Sequence, residues 1–248
     1  MPLAVDTAGE YYVDWDRLAD AVSSDTRLIM LNFPQNPTGA VLGAADLDRL
    51  AEIVRDTPAL LLADEVYEHI VFDGQAHQSL LRHDELWERS FVVSSFGKTY
   101  HATGWKVGYC IAPEPLTAEF RKVHQFTTFA VMTPVQHALA DYMSMKPEHY
   151  AELPAFYQEK RDRFCSLLAE SRFRFRPAKG TFFQVLDYSA ITDEADADYA
   201  VRLTREIGVA SIPISVFCEQ PPPGRMLRFC FAKDDAMLED AAARLCRL

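Results

Sequence analysis

Two lysines, Lys98 and Lys106, lie in a segment of small and polar residues that separates two apolar runs, residues 91–93 and 107–112. Apolar runs bounded by Gly and Ser are typical of strands that meet in a loop. A lysine at the end of a buried strand can simply remain solvated. It can also form an imine with a carbonyl compound, which requires a neutral amine and therefore a partly desolvated site near other cations. A phosphate-binding P-loop is excluded because position 92 is Val and not Gly.

Polar residues also follow two earlier apolar runs, at the point where each run ends. Residues 27–31 lead into a turn that contains Asn36, and residues 59–63 lead directly into Asp64. Helical patterns separate these runs from each other and from the run before Ser95. Strands that alternate with helices predict a mainly parallel sheet with flanking helices, and ligands bind at the carboxyl ends of such strands. We therefore expect Asn36, Asp64 and Ser95 along one rim of one sheet.

A long helical pattern at residues 148–171 marks a change in the character of the chain. Pro154 lies inside this pattern and predicts either a kink or the true start of the helix. The strands before it are apolar throughout, whereas those after it include alternating ones. We therefore expect an α/β fold in two parts: a partial large domain at residues 1–147 and, at residues 148–248, the bridging helix with a small α+β domain.

The C-terminal part contains three candidate strands. Strict alternation of Arg and Phe at residues 172–176 predicts a half-solvated strand, unlike the interior of a parallel sheet. Further strands are predicted at residues 181–186 and 226–231. The last one contains Arg228, which an alternating pattern places with Met226 and Cys230, on the face opposite Leu227, Phe229 and Phe231. An arginine in such a strand either faces solvent or has an anionic partner.

Composition limits the classes of protein and of site. The chain has 248 residues, of which 49% are hydrophobic, and a net charge of −11, which argues against nucleic acid and anionic membrane surfaces as partners. It has no apolar run of about 18 residues that could span a membrane. Residues 1–12 lack the basic start and apolar core of a secretory signal. Five widely spaced cysteines without a CxxC pair predict reduced thiols in a cytoplasmic protein and no metal site.

Four segments of the sequence resemble the fold-type I, pyridoxal-phosphate-dependent aminotransferases. In the order in which that family has them, they are NFPQNPTG at residues 32–39, ADEVYEHI at 63–70, SSFGKTYHATGWKVGY at 94–109 and MLRFCFAK at 226–233. They are most similar to the branch that includes methionine and kynurenine aminotransferases. The resemblance implies the cofactor pyridoxal 5′-phosphate and the architecture of that family, of which this chain has a partial large domain.

The resemblance implies a role for polar residues of the first three segments. Lys98 forms an imine with the cofactor and then acts as general acid–base at the substrate Cα, although a free lysine has a pKa near ~10.4. Asp64 pairs with the protonated pyridine nitrogen, so that the ring can accept electrons. Tyr67 and Asn36 hydrogen-bond the phenolate oxygen. The residues alone leave simpler alternatives open: a helix cap for Asp64, an amphipathic helix position for Tyr67 and turn formation for Asn36.

Ser95, Lys106 and Arg228 complete the implied site. The resemblance assigns Ser95 and Lys106 to the cofactor phosphate, and Arg228 to the α-carboxylate of the substrate, a bidentate target that suits a guanidinium group. Two positions differ from many relatives, which have serine in place of Gly97 and arginine in place of Lys106. Lysine still binds phosphate, but without the fork of an arginine.

The implied function is transamination between an L-α-amino acid and a 2-oxo acid, with methionine, an aromatic or another large apolar amino acid as the donor. A C–S β-lyase would use the same residues. A catalytically silent, truncated paralogue is the alternative outside the enzymes, because the resemblance begins well inside the family's large domain. A full-length chain is expected to be a cytoplasmic homodimer. The 248 residues alone are expected neither to bind the cofactor tightly nor to transaminate, and to be oligomeric or poorly soluble.

Overall fold

The structure is a computed structural model that describes residues 3–5, 10–219 and 224–248. Residues 1, 2 and 6–9, which belong to the N-terminal segment without a secretory pattern, lie outside this description. Three sheets form the framework of the described residues. A hairpin of β1 (Leu3–Val5) and β2 (Tyr11–Val13) comes first, a four-stranded sheet follows, and a three-stranded sheet lies in the C-terminal part.

The four-stranded sheet contains β3 (Leu28–Asn32), β4 (Leu60–Asp64), β5 (Ser90–Ser95) and β6 (Gly108–Ile111), in that order across the sheet. The first three strands are parallel, with Asn32 opposite Asp64, and β6 is antiparallel to β5. The last strand reverses because residues 96–107 contain no helix long enough to cross over the sheet. The predicted α/β architecture with a mainly parallel sheet is thus confirmed.

One face of this sheet packs against helices. The helices of this half are α1 (Trp15–Ala21), α2 (Ala44–Val54) and two single turns, α3 (Asp84–Trp87) and α4 (Phe96–Thr99). Leu50 and Val54 of α2 share a buried core with Leu31 of β3. On the other face of β3, Leu28 and Met30 remain 48% and 62% exposed. The sheet therefore has one buried and one accessible face.

Three long helices lead into the C-terminal part: α5 (Glu114–Thr127), α6 (Thr133–Met145) and α7 (His149–Leu167). Helix α7 buries Leu153, Tyr157 and Phe164 along one side, and Pro154 lies in its second turn. The helix therefore begins before the proline, and the alternative that Pro154 marks its start is wrong. In the described part of the chain, no helix is long and apolar enough to cross a membrane. The five cysteines are free.

The C-terminal sheet contains β7 (Phe183–Asp187), β8 (Ile212–Pro213) and β9 (Met226–Cys230), with β9 in the middle and antiparallel to both neighbours. Helices α8 (Asp196–Arg202) and α9 (Asp235–Leu245) contribute to the core beneath it. Helix α8 continues as a wider π-helical turn, Leu203–Ile207, and stops at Gly208. Gly208 has a φ of 76°, the left-handed conformation that commonly ends helices.

The strand predicted at residues 172–176 is wrong. Only Arg174 pairs with a strand, in an isolated bridge to Asp187 whose two backbone hydrogen bonds measure 2.9 and 2.8 Å. The alternation has a different cause, because Phe173 and Phe175 pack against the hydrophobic core while the arginines around them are exposed. A side-chain pattern of period 2 is therefore present here without a β-ladder.

The C-terminal core also takes in residues from the N-terminal half. Tyr67, Ile70 and Phe72, which follow β4, are buried in the same cluster as Phe229 and Leu238. This cluster joins the loop after β4 to the small sheet. The division into domains at residues 1–147 and 148–248 stays a prediction.

Candidate active site

The backbone that carries Lys98 is fixed on two sides. Lys98 is in α4, which directly follows β5. Ser95 caps this turn, because its Oγ accepts a hydrogen bond of 3.0 Å from the amide of Gly97. On the other side, Nε2 of His149, the first residue of α7, lies 2.8 Å from the carbonyl oxygen of Thr99. The lysine therefore extends from a turn that is anchored to both the sheet and the long helix.

The amine of Lys98 lies beside two aromatic rings. Its Nζ is 5.4 Å from the ring centroid of Tyr67 and 5.3 Å from that of Phe182. Burial lowers the pKa of the Lys98 amine, and the positive charges of Lys106 and Arg228 also lower it. A neutral amine is the form that attacks a carbonyl carbon. This environment is the one that an imine-forming lysine requires.

Asp64 and Tyr67 lie at the carboxyl end of β4, the strand next to β5. Asp64 accepts a hydrogen bond of 3.2 Å from the amide of Val66; burial raises the pKa of the carboxyl, while this bond and the charge of Lys98 lower it. Tyr67 is 2% exposed, and burial raises the pKa of its phenol. Residues 66–69 form a turn and not a helix, so the helix-based alternatives for Asp64 and Tyr67 are wrong.

Two glutamates of the same segment, Glu65 and Glu68, also anchor this turn. The buried Glu65 lies 2.8 Å from Nε2 of His77. Glu68 accepts hydrogen bonds from the hydroxyls of Ser94 and Tyr109, which belong to β5 and β6. Neither glutamate was among the predicted site residues, although both belong to the segment ADEVYEHI. Each glutamate directly follows a site residue in the sequence, so these contacts hold the backbone of the turn that carries Asp64 and Tyr67.

Arg228 and Asn36 meet although 192 residues separate them. Nη1 of Arg228 donates a hydrogen bond of 2.6 Å to Oδ1 of Asn36. The guanidinium carbon lies 4.0 Å from the ring centroid of Phe183 and 5.6 Å from that of Phe217. Burial lowers the pKa of this arginine. The alternative of a solvent-facing Arg228 is therefore wrong, and Asn36 contacts the site in addition to forming a turn.

Ser95 and Lys106, which the resemblance assigns to the phosphate, lie at the two ends of residues 95–106, here called the α4 segment. The hydroxyl of Ser95 also donates to the carbonyl oxygen of Val107 over 3.4 Å. Lys106 is exposed and has a left-handed φ of 55°. Its positive charge lowers the pKa of Lys98, so the two lysines interact electrostatically. The phosphate role of both residues stays a prediction.

Gly97 allows the backbone of residue 97 to approach that of Thr103 closely. A Cβ at this position would lie 2.9 Å from Cα of Thr103 and 3.0 Å from Oγ of Ser95. The hydroxyl of Thr103 donates a hydrogen bond of 2.9 Å to the carbonyl oxygen of Gly97. The serine that many relatives have here would therefore require Thr103 to shift.

Sequence reasoning missed two aromatic residues of the site, Phe182 and Phe183. Both lie in the segment predicted only as a strand at residues 181–186. Strand alternation would place adjacent residues on opposite faces. In the structure both rings contact Tyr67, at centroid distances of 5.2 and 6.1 Å. No signal in the sequence indicates this arrangement.

The groups that converge here fit pyridoxal 5′-phosphate. Asp64 and Arg228 each influence the pKa of both Lys98 and Tyr67, so these four side chains share one electrostatic environment. An amine, a carboxylate and a phenol are complementary to an aldehyde, a basic ring nitrogen and a phenolate oxygen. Among the residues that the structure describes, no group of three or more His, Cys, Asp or Glu side chains is placed to hold a metal ion.

Comparison with known sequences identifies related proteins. The aminotransferase class I and II family matches residues 1–245. Methionine aminotransferase of Escherichia coli is 50% identical over 238 residues, which cover 96% of this chain and 62% of that protein. The probable N-succinyldiaminopimelate aminotransferase DapC of Mycobacterium tuberculosis is 34% identical, over 99% of this chain and 64% of its own length. Kynurenine–oxoglutarate transaminase of Dictyostelium discoideum is also 34% identical, over 95% of this chain and 60% of its own length.

Solved structures agree with the sequence matches. The crystal structure of Escherichia coli YbdL, reported with a methionine aminotransferase function, has a TM-score of 0.92 at 50% identity and covers 96% of this chain and 63% of its own. N-succinyldiaminopimelate aminotransferase of Mycobacterium tuberculosis has a TM-score of 0.93 at 35% identity, over 100% of this chain and 64% of its own. The chain thus spans less than two thirds of the length of these relatives. The resemblance found in the sequence is confirmed: the chain belongs to the aminotransferase class I and II family.

Proposed function

We propose that this chain carries the catalytic residues of a pyridoxal-phosphate-dependent aminotransferase, which transfers the amino group of an L-α-amino acid to a 2-oxo acid. The observation that carries the proposal is the environment of Lys98. Its amine has a lowered pKa, lies 5.4 Å from the ring centroid of Tyr67 and, like that phenol, is influenced by the charges of Asp64 and Arg228. The similarity to three kinds of aminotransferase supports the same reaction class.

Each residue has a task that its chemistry can perform. When bound, pyridoxal 5′-phosphate supplies a carbonyl carbon for the substrate amine and a ring that delocalises the electron pair left at Cα. Asp64 would hold the ring nitrogen in its protonated form, and Tyr67 and Asn36 would donate to the phenolate oxygen. Ser95 and Lys106 would bind the phosphate. Lys98, once neutral, accepts the proton from the substrate Cα.

Arg228 can bind the substrate carboxylate while it keeps its present contact. A guanidinium group has five N–H donors, and the contact with Asn36 uses one of them. The remaining donors include a pair that can bind both oxygens of a carboxylate. The ring of Phe183, whose centroid lies 4.0 Å from the guanidinium carbon, accepts no conventional hydrogen bond and so uses none of these donors. Amino acid and 2-oxo acid would therefore use the same arginine.

The aromatic rings beside the two cations favour large apolar donors such as methionine or aromatic amino acids. The ring of Phe182 lies beside Lys98, and those of Phe183 and Phe217 lie beside Arg228. The 50% identity to a methionine aminotransferase supports this substrate class. We also propose a cytoplasmic location, in keeping with five free cysteines, and a homodimer for the whole protein.

The test is covalent capture, because the isolated chain is not expected to retain the cofactor tightly. The chain is incubated with excess pyridoxal 5′-phosphate, reduced with borohydride and digested, and the labelled peptide is identified by mass spectrometry. We expect the label on Lys98 and its loss in Lys98→Arg but not in Lys106→Arg. A label that falls mainly on Lys106 or Lys179 would contradict the proposal.

A competition experiment tests the substrate class. L-Methionine added before reduction should lower the capture at Lys98 more than L-aspartate does. D-Methionine is the matched control, because it reacts equally with free cofactor in solution. Equal protection by both enantiomers would show that no amino acid site is present, and stronger protection by aspartate would contradict an apolar pocket.

A further inference from the structure

The rings of Phe182 and Phe183, here called the aromatic pair, each contact one cation of the site. Phe182 lies 5.3 Å from Nζ of Lys98, and Phe183 lies 4.0 Å from the guanidinium carbon of Arg228. The two rings are 4.8 Å apart and inclined at 65°, an edge-to-face contact. Both also meet the ring of Tyr67 edge-on. One continuous aromatic surface therefore touches both cations.

The backbone before the aromatic pair adopts an uncommon conformation. Thr181 has a φ of 66°, which is an outlier for a β-branched residue. It is fully buried, its amide donates a hydrogen bond of 2.9 Å to the carbonyl oxygen of Ile70, and its hydroxyl accepts one of 3.2 Å from the amide of Phe183. A conformation of this kind persists only where the surroundings impose it, and such positions cluster at functional sites. Here it precedes two adjacent rings that both contact the ring of Tyr67.

We propose that Phe182 and Phe183 are positioning residues that hold the Lys98 amine and the Arg228 guanidinium against one aromatic surface, so that both cations meet one amino acid substrate. The face of an aromatic ring attracts a cation, and the attraction is larger where water is excluded. The inference rests on the proposed function, in which Arg228 binds the carboxylate of the molecule whose Cα proton Lys98 accepts. Carboxylate and Cα are adjacent in the substrate, so the two cations need a fixed separation.

The proposal predicts a separate effect of each ring. Phe182→Leu keeps an apolar side chain but removes the ring face that stabilises the ammonium form of Lys98. The charged and titratable groups that act on this amine stay in place: Asp64, Tyr67, Lys106, Arg228 and Cys230. The pH midpoint for the reaction of Lys98 should therefore fall. A cation–π contact of this kind corresponds to a change of about two- to fivefold in the neutral fraction.

The experiment measures the two cations in the cofactor-free chain, so that its result does not depend on the proposed function. Competitive acetylation with acetic anhydride across a pH series gives the midpoint for Lys98, with the exposed Lys122 as internal reference. Phenylglyoxal gives the modification rate of Arg228. We expect Phe182→Leu to lower the Lys98 midpoint only, and Phe183→Leu to raise the Arg228 rate about two- to fivefold only. Phe182→Tyr and Phe183→Tyr, which keep a ring, should behave like the wild type.

The decisive quantity is the pH at the midpoint of the Lys98 acetylation curve, and not the rate that the curve reaches at high pH. A variant that merely admits water would raise the midpoint, which is the opposite direction. An unchanged or raised midpoint in Phe182→Leu, or the same effect of both Leu variants on both cations, overturns the proposal. If each Leu variant affects only the cation beside the ring that it removes, while cofactor capture at Lys98 fails, the proposed function fails and the positioning role stands.

Discussion

A buried arginine in α7, Arg161, joins the two segments that contribute the aromatic residues of the site. Its Nη1 and Nη2 each donate a hydrogen bond of 2.7 Å to one oxygen of Asp73, and Nη1 donates another of 2.9 Å to the carbonyl oxygen of Ala178. Asp73 follows the turn that holds Tyr67, and Ala178 precedes the aromatic pair. The guanidinium carbon also lies 4.9 Å from the ring centroid of Phe72. Loss of the ion pair between Arg161 and Asp73 should therefore destabilise both segments.

Asp73→Asn should lower the free energy of unfolding by about 2 kcal/mol. Removal of one partner from a fully buried ion pair costs about 3–5 kcal/mol. The cost is smaller here because the side chain of Asp73 is 48% exposed and Arg161 keeps Asp162 as a second partner. Asn is the suitable replacement, because Asp73 has a φ of 59° and Asn tolerates the left-handed region.

The assay is urea unfolding, with Asp162→Asn as the matched control. Asp162 also pairs with Arg161 but is the next residue of the same helix, so its loss releases no distant segment and should cost less than about 1 kcal/mol. The hydrogen bonds from Arg161 lower the pKa of Asp73. A lowered pKa stabilises the fold above the unfolded value near 3.8, and the benefit is lost as the pH falls through the folded value. Equal losses in both variants, or an Asp73 effect that persists in strong acid, would refute the reasoning.

Three further substitutions test the site itself. Asp64→Asn removes a charge that raises the pKa of Lys98, so the acetylation midpoint of Lys98 should fall; an unchanged midpoint would show that the two groups do not interact. Arg228→Lys should weaken an amino acid and its oxo acid alike, by about 2–3 kcal/mol in calorimetry, because an ammonium lacks the bidentate fork; a loss for one ligand alone contradicts a shared carboxylate site. Gly97→Ala should lower the free energy of unfolding by about 1–3 kcal/mol, because its Cβ would lie 2.9 Å from Cα of Thr103. Wild-type stability in that variant would show that Thr103 shifts freely.

The sequence predicted the elements that carry a strong local signal. Apolar runs followed at once by a polar residue located β4 with Asp64 and β5 with Ser95, because a buried strand must end where its side chains reach solvent. The same reasoning placed these residues at one edge of a parallel sheet, which the strand order confirms. Pattern and burial coincide at these positions, so the prediction needed no long-range information.

The parts that could not be predicted depend on contacts between distant segments. The alternation at residues 172–176 results from the burial of two phenylalanines. The same pattern occurs in a strand of a β-ladder and in a segment that packs on a core without one, so the sequence could not decide between them. The contact of Arg228 with Asn36 crosses 192 residues. The joint orientation of the aromatic pair depends on the backbone of Thr181, whose left-handed φ no local propensity for threonine predicts. Long-range packing decides each of these features.

The most direct test of the proposed site is a crystal structure of the chain after reduction with borohydride in the presence of pyridoxal 5′-phosphate. The account predicts continuous density from Nζ of Lys98 to the cofactor. It also predicts that a carboxylate oxygen of Asp64 lies within hydrogen-bond distance of the ring nitrogen, about 2.6–3.2 Å. Density on another lysine, or a ring nitrogen that faces away from Asp64, would contradict it.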